Sequence, residues 1–400
     1  MQTNRLKPSR TIVTSFNPRK AVPAVDQNDA DVSPYEEGEW VLCLAASKNT
    51  LACALSNGEV QVYDQERLHV TQSFPCYSSS PATITSLMYA PNTNHEPILI
   101  STDSSGCLAV MDLRSGQRTV RMTLPSPALC LGLGYEEGHL AAVGSVRGRI
   151  HFTDLRQPGS LLGSYIDSHT DDVTQVTFSP YQSAILLSGA EDGLVSLFDT
   201  TQPTEETARK AVCSVGTAVR HAGFCGPNNL YCLTGSETLS LWHAESATVV
   251  RDFGLETRSH LSRQLLSGGP TATVDYLVDA HWNEATQQLL LLAGTSVGDA
   301  ALFSLGGKHQ QQQPTLEFRA ECVLQGGHRG IVRAWTPLLQ SADGAVSTFM
   351  TAGEDARLCE WRPTPTFAAP IPPSPAAKRV NGGGGPMRRR QRSKPSASPY

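Results

Sequence analysis

The feature that most restricts what this chain can become is internal repetition. Residues 185–199 read Ile-Leu-Leu-Ser-Gly-Ala-Glu-Asp-Gly-Leu-Val-Ser-Leu-Phe-Asp, and residues 348–361 read Thr-Phe-Met-Thr-Ala-Gly-Glu-Asp-Ala-Arg-Leu-Cys-Glu-Trp. In both, an apolar strand ends in small or hydroxyl residues and turns at Glu-Asp. A second, alternating strand then closes on an aromatic six positions after the turn aspartate: Asp192 to Phe198, and Asp355 to Trp361. Weaker copies occupy residues 50–64, 98–112, 140–154, 230–242 and 289–303. The closing positions are 63, 111, 153, 198, 242, 303 and 361, with gaps of 48, 42, 45, 44, 61 and 58. A recurrence near 45 residues with about four strands per unit is the size of a propeller blade.

Each copy is preceded by another alternating stretch, at 41–45, 84–89, 128–133, 173–178, 219–224, 278–282 and 331–335, and followed by a more polar one such as 118–124. Alternation with period two belongs to a strand in a half-buried sheet. One such sheet cannot bury both faces, whereas seven packed face to face in a ring can. The predicted fold is therefore all-β, a seven-bladed β-propeller over residues 37–365. An N-terminal extension, 1–36, precedes it, and a disordered Pro/Gly-rich basic tail, 366–400, follows it. Pro363 and Pro365 after Trp361 deny the last copy a regular fourth strand. The β-rich segment 11–16 is expected to dock there and close the ring. The two wide gaps contain residues 257–273 and 306–315, the latter with the run Gln310–Gln313, and both are expected to be loops between blades.

These motifs resemble the WD-repeat family, whose blades carry Gly-His before the first strand, Asp in the turn after the second, and Trp-Asp closing the third. Gly327-His328, Thr351, Asp355 and Trp361 match the family's hydrogen-bonded tetrad; His169, Ser188, Asp192 and Phe198 match it with Phe in place of Trp. In such a tetrad every buried polar atom finds a partner. The other five copies are degenerate, with Asn57, Ser105 and Arg147 in the aspartate position of the first three. The resemblance spans residues 40–362 and implies a protein-binding platform that catalyses nothing and needs no cofactor or metal.

The remaining features fit that picture. His169 and His328 with Asp192 and Asp355 could be taken for general-base pairs, but their spacing follows the blades, which marks a structural brace. Phosphate-loop, HExxH and GxSxG motifs are absent, so no catalytic residue is assigned. The ten cysteines show no CxxC pair and sit in apolar stretches, as small buried hydrophobes would in a reducing compartment. No apolar leader precedes the repeats, and the longest apolar run, at 289–293, is far short of the ~20 residues a membrane span needs. A soluble, monomeric, nuclear and/or cytoplasmic protein is expected.

Charge is unevenly spread. Residues 1–20 sum to +5 and residues 363–400 to +7, so the net charge of -5 leaves -17 on residues 21–362. Such a body repels nucleic acid, which could at most touch the ends, and steers toward basic partners such as histones, ribosomal proteins or assembly factors. The tail cluster Arg388, Arg389, Arg390, Arg392 and Lys394 reads as a nuclear-import signal, a weak nucleic-acid contact or a solubilising tail. Asp112-Leu113-Arg114 and Asp154-Leu155-Arg156 resemble the Asp-x-Arg ending of WD-repeat substrate receptors of cullin–RING ubiquitin ligases, with Met111 and Thr153 replacing the usual Trp. Asp112, Arg114, Asp154 and Arg156 are thus candidate adaptor contacts, or plain solvated turns. The expected function is a protein-interaction scaffold, in nuclear complex assembly, with the ligase receptor as the alternative.

Overall fold

Alternating sequences separated by tight turns fold here into antiparallel meanders, one per repeat. The computed structural model describes residues 4–14, 38–75, 82–91, 98–134, 139–157, 159–265, 273–308, 315–340 and 344–363. Within them lie seven sheets; five run in chain order from an innermost to an outer strand, and two take an additional strand from the N-terminus. Blade 1 runs from Val41–Ala46 to Val70–Phe74, blade 2 from Ile84–Tyr89 to Gln117–Thr123, and blade 3 from Ala128–Leu133 to Leu161–Tyr165. Blade 4 runs from Val173–Phe178 to Arg209–Ser214, blade 5 from Val219–Phe224 to Thr248–Asp252, and blade 6 from Tyr276–Asn283 to Thr315–Leu324. Blade 7 has Val332–Gln340, Val346–Gly353 and Arg357–Trp361.

The core is divided among the joints between blades. Seven apolar clusters are present, and each joins two neighbouring sheets. The last unites Leu51, Leu55 and Tyr63 of blade 1 with Met350, Ala352 and Leu358 of blade 7, so the ring is closed. The molecule is a seven-bladed β-propeller. Because strands alternate in direction, the first-to-second and third-to-outer turns of every blade lie at one end of the ring, called here the lower end. The second-to-third turns and the connections between blades lie at the upper end.

A recurrent irregularity shapes the channel. Every innermost strand shifts register against the second strand near its start: at Val41/Cys43, Ile84/Ser86, Ala128/Cys130, Val173/Gln175, Val219/His221, Leu277/Asp279 and Val332/Ala334. An extra residue there bends the strand and raises its twist. Blades 1 to 6 carry a second shift between their third and outer strands. Blade 7 does not, because its outer strand comes from elsewhere in the chain.

That strand is Arg10–Val13, antiparallel to Arg357–Trp361, with Ser9 and Thr14 extending the ladder to the Glu360 and Ala356 carbonyls at 2.8 Å. Residues 15 and 16 lie outside the described residues. Just before it, Asn4–Leu6 pairs in parallel with Cys322–Leu324 as a fifth strand on blade 6. Arg10 meets the fully buried carboxylate of Glu360 and reaches across to the Gln65 and Glu66 carbonyls of blade 1. One short segment therefore touches three blades.

Both expected inter-blade loops need correction. Part of 257–273 is a helix, Thr257–Leu265, entered through a 3-10 turn at Gly254–Glu256. Its Leu261 and Leu265 are buried against Phe253 and Leu277 in the joint between blades 5 and 6. Serines and arginines hid a helix whose only long apolar residues are one turn apart. The segment 306–315 lies within blade 6 rather than between blades: its third and outer strands continue to the pair Lys308↔Thr315. Residues 309–314, with the glutamine run, lie outside the described residues.

Candidate functional site

The best-defined polar constellations stand at the upper end of blades 4 and 7, where an inter-blade loop passes over the second-to-third turn. In blade 7, His328 Nδ1 lies 3.0 Å from Asp355 Oδ1, and His328 Nε2 lies 2.7 Å from Thr351 Oγ1. The Trp361 indole donates to the same hydroxyl at 2.8 Å. In blade 4, His169 Nδ1 lies 3.1 Å from Asp192 Oδ2 and Nε2 lies 2.7 Å from Ser188 Oγ. Phe198, fully buried, offers no donor. The aspartates also accept main-chain amides, Arg329 at 2.8 Å and Thr170 at 2.9 Å, which ties each loop to its turn. These eight residues tie loop, turn and strand together within their blades.

The two histidines are held in opposite charge states. Burial pushes the His169 imidazole below its ordinary range, and Asp192 only partly offsets it. Burial works against charge at His328 too, but hydrogen bonds to Asp355 and Cys359 prevail and push it up to about 9. Burial likewise opposes ionisation of Asp355, yet its bond to His328 holds the carboxyl below its usual range.

Blade 3 has a brace the repeat pattern did not reveal. Ser126 Oγ lies 2.7 Å from Ser145 Oγ and 2.8 Å from His151 Nε2, while His151 Nδ1 lies 2.7 Å from Ser164 Oγ. Its histidine comes from the third strand instead of the inter-blade loop. In blade 2, Asp103 takes over the turn two positions before Ser105, accepting the Ser105 and Cys107 amides at 2.9 Å. Asn57 accepts the Glu59 amide at 2.9 Å. Arg147 has φ +59° and its amide donates to Asp172 of the next loop at 2.9 Å. The adjoining Gly148, φ +72°, is required sterically: a Cβ there would lie 2.1 Å from the His169 carbonyl oxygen.

Asp112-Leu113-Arg114 and Asp154-Leu155-Arg156 form third-to-outer turns at the lower end. Asp112 accepts the Arg114 amide at 2.8 Å. Asp154 accepts the Arg156 amide at 2.9 Å, and its carboxylate takes the Arg156 guanidinium at 2.8 and 3.0 Å. That pairing holds Asp154 down to about 2. Arg156 is thus occupied by its own turn. The cluster Arg388, Arg389, Arg390, Arg392 and Lys394 lies outside the described residues. All described cysteines are free thiols, and burial pushes Cys43, Cys53, Cys130, Cys225 and Cys322 up to about 12, which makes them unreactive. Among the described residues, no helix is long and apolar enough to cross a membrane.

Two acidic features escaped the motif search. At the upper end of blade 4, Asp171, Asp172 and Glu191 place their carboxylates within 4.8 Å of one another. At the lower mouth of the channel, Tyr181, Trp282 and Glu284 come together across blades 4 and 6. The only hint in sequence is Trp282-Asn283-Glu284, an aromatic and an acid closing an innermost strand.

No family model matches the chain. It is 31% identical over 322 residues to WD repeat-containing protein GTS1 of Arabidopsis thaliana, covering 78% of each. It is 24% identical over 332 residues to the WD repeat-containing protein 89 homolog of Dictyostelium discoideum, covering 82% of this chain and 84% of that one. Histone-binding protein MSI1 of Saccharomyces cerevisiae is 24% identical over 195 residues, 46% of this chain and 44% of the relative. Among solved structures, a chain in "Crystal Structure of Mitotic Checkpoint Complex" superposes with a TM-score of 0.62 at 16% identity, covering 90% of this chain and 93% of that one, a likeness of fold alone. With seven repeated blades, two tetrad braces and these relatives, the chain belongs to the WD repeat-containing proteins.

Proposed function

We propose that this propeller is a non-enzymatic scaffold that gathers basic proteins at its upper end, in the assembly of nuclear complexes. WD-repeat propellers generally mediate contacts between proteins. The observation that carries the finer reading is fixed acid on a braced surface. Asp171, Asp172 and Glu191 crowd together beside the His169–Asp192 brace, on a body whose residues 21–362 sum to -17. Crowded carboxylates on a rigid loop raise the local potential and speed encounter with cations. A relative named as histone-binding is in keeping with a basic partner.

Affinity purification with mass spectrometry tests this reading. The wild-type bait is expected to enrich histones, ribosomal proteins or assembly factors. The variant Asp171→Asn/Asp172→Asn/Glu191→Gln is expected to recover several-fold less of them. Recovery of a cullin adaptor, lost on Arg114→Ala/Arg156→Ala, would replace the scaffold by a ligase receptor. Nuclear action is tested by deleting residues 386–394 and imaging the tagged protein, which is expected to leave the nucleus.

A further inference from the structure

At the lower end, the channel mouth widens into a cavity of about 490 Å³ between blades 4, 5 and 6. Its walls are the three innermost strands Val173–Phe178, Val219–Phe224 and Tyr276–Asn283, with the turn that carries Tyr181. Its lining includes the aromatic residues Tyr181, Phe224 and Trp282 and the acids Asp279 and Glu284, beside Gln175, Thr177 and two histidines.

Glu284 organises the rim. The Tyr181 hydroxyl and the Trp282 indole (2.8 Å) both donate to its Oε2, and Gln287 donates to Oε1 at 3.0 Å. The Tyr181 hydrogen bond is the largest influence holding this carboxyl below its usual range, and the Trp282 and Gln287 bonds add to it. The same bonds fix the two aromatic side chains from different blades. Asp279 sits deeper, its side chain 37% exposed, with Oδ1 accepting the Ala280 amide at 2.7 Å and His221 Nδ1 standing 3.7 Å away. Among the described residues, no lysine or arginine lines the cavity. Of the two histidines there, His281 is held below its ordinary range by burial and stays neutral near pH 7.

We propose that this cavity is a binding site for the lysine or arginine side chain of a basic polypeptide. Aromatic faces attract a cation through the ring quadrupole, and two carboxylates supply its counter-charge as it leaves water. The alternatives fail on the same groups. An apolar ligand would bury two carboxylates without a counter-ion, and a phosphate would meet them as like charges. The volume falls in the range of small-ligand pockets, enough for a long side chain and part of its backbone. The site lies at the opposite end of the ring from Asp171, Asp172 and Glu191, so it stands or falls separately from the upper-end reading.

The test uses the full-length protein and fluorescein-labelled nonapeptides of arginine and glycine, lysine and glycine, and glutamate and glycine. Fluorescence anisotropy is expected to show binding of one or both cationic peptides and none of the acidic one. Comparing the first two distinguishes guanidinium from ammonium. Asp279→Asn/Glu284→Gln is expected to weaken binding roughly tenfold or more, a loss within the reach of a desolvated cation–π and charge contact. Asp171→Asn/Asp172→Asn/Glu191→Gln should leave peptide affinity within twofold. A benzophenone-bearing cationic peptide should crosslink to wild-type protein at residues 175–182 or 279–284, a readout that needs no variant to fold. Equal affinity of the wild type and the lower-mouth variant, failure of both cationic peptides to bind, or crosslinks confined to the upper end would each overturn the proposal. Loss of basic proteins from the upper-end variant with peptide binding intact would separate the two ends.

Discussion

Blades 4 and 7 carry the same brace and close it differently. In blade 7 a Trp361 indole completes the relay through Thr351 to His328, and the histidine is a cation beside a buried aspartate. In blade 4, Phe198 gives no proton, and Tyr165 stacks against it at 4.9 Å between ring centres, with Phe152 beyond at 4.7 Å. There the histidine is neutral. Opposite Ser188 stands Ser196, whose buried hydroxyl finds no partner among the described residues, whereas Thr351 faces Cys359. The outer strands differ as well: that of blade 4 is reached through a short helix, Glu205–Ala208, whereas that of blade 7 comes from the N-terminus. A tetrad is thus a way of satisfying buried polar atoms, and an aromatic stack can take the place of one member where the others remain paired.

The difference can be broken at its largest point by removing residues 1–14. Blade 7 then loses its outer strand, blade 6 its fifth, and Glu360 its Arg10 partner. The expected destabilisation is on the order of 5 kcal/mol, since the buried Glu360 carboxylate keeps only Arg362 of its two arginines while an outer strand is lost and a ring joint opened together. Thermal unfolding followed by circular dichroism measures it; an unchanged curve would refute the closure.

Next in size, Asp355→Ala should cost about 3 kcal/mol by stranding the His328 cation, and Asp192→Ala about 1–2 kcal/mol by leaving neutral donors, the His169 N–H and the Thr170 and Leu194 amides, without their acceptor. The histidines' own contributions to stability should depend on pH in opposite directions. The folded-state value of His328 is raised from 6.5 to about 9, so its contribution is complete below about 6.5 and disappears as pH rises toward 9. That of His169 is lowered, so its contribution is present above 6.5 and disappears on acidification. Chemical denaturation of His328→Gln and His169→Gln beside the wild type from pH 5.5 to 9.5 checks the signs, and parallel profiles would end the distinction.

Smaller effects sharpen it. Phe198→Trp restores the family's residue yet should destabilise by about 2 kcal/mol, because Tyr165 and Phe152 already fill the space an indole needs. Trp361→Phe should lose about 1 kcal/mol with its hydrogen bond. Ser196→Ala should stabilise by up to ~1 kcal/mol by removing an unpaired buried hydroxyl, again read from denaturation midpoints.

Where local pattern and long-range packing ask for the same thing, reading the chain was enough. Alternation marked the strands, and His328, Thr351, Asp355 and Trp361 announced their own brace by residue type and spacing. The helix Thr257–Leu265 was missed because two buried leucines in a polar segment make no visible stripe. The His151 network was missed because no repeat position requires it; it exists because Ser126, Ser145 and Ser164 arrive from three other segments. The lower-mouth cavity was out of reach for the same reason: Tyr181 and Glu284 stand 103 residues apart and share one hydrogen bond.

What the residues alone determined is the unit and its number: seven similar sheets whose two apolar faces force them to stack on one another. What only the tertiary structure decided is everything made by residues distant along the chain. The N-terminus bridges three blades, two identical-looking histidines are shifted in opposite directions, and acids collect at both ends of the ring. Periodicity is a short-range property and survives in the order of residues. Charge state, closure and cavities depend on distances through space, which the ring sets only once it has closed.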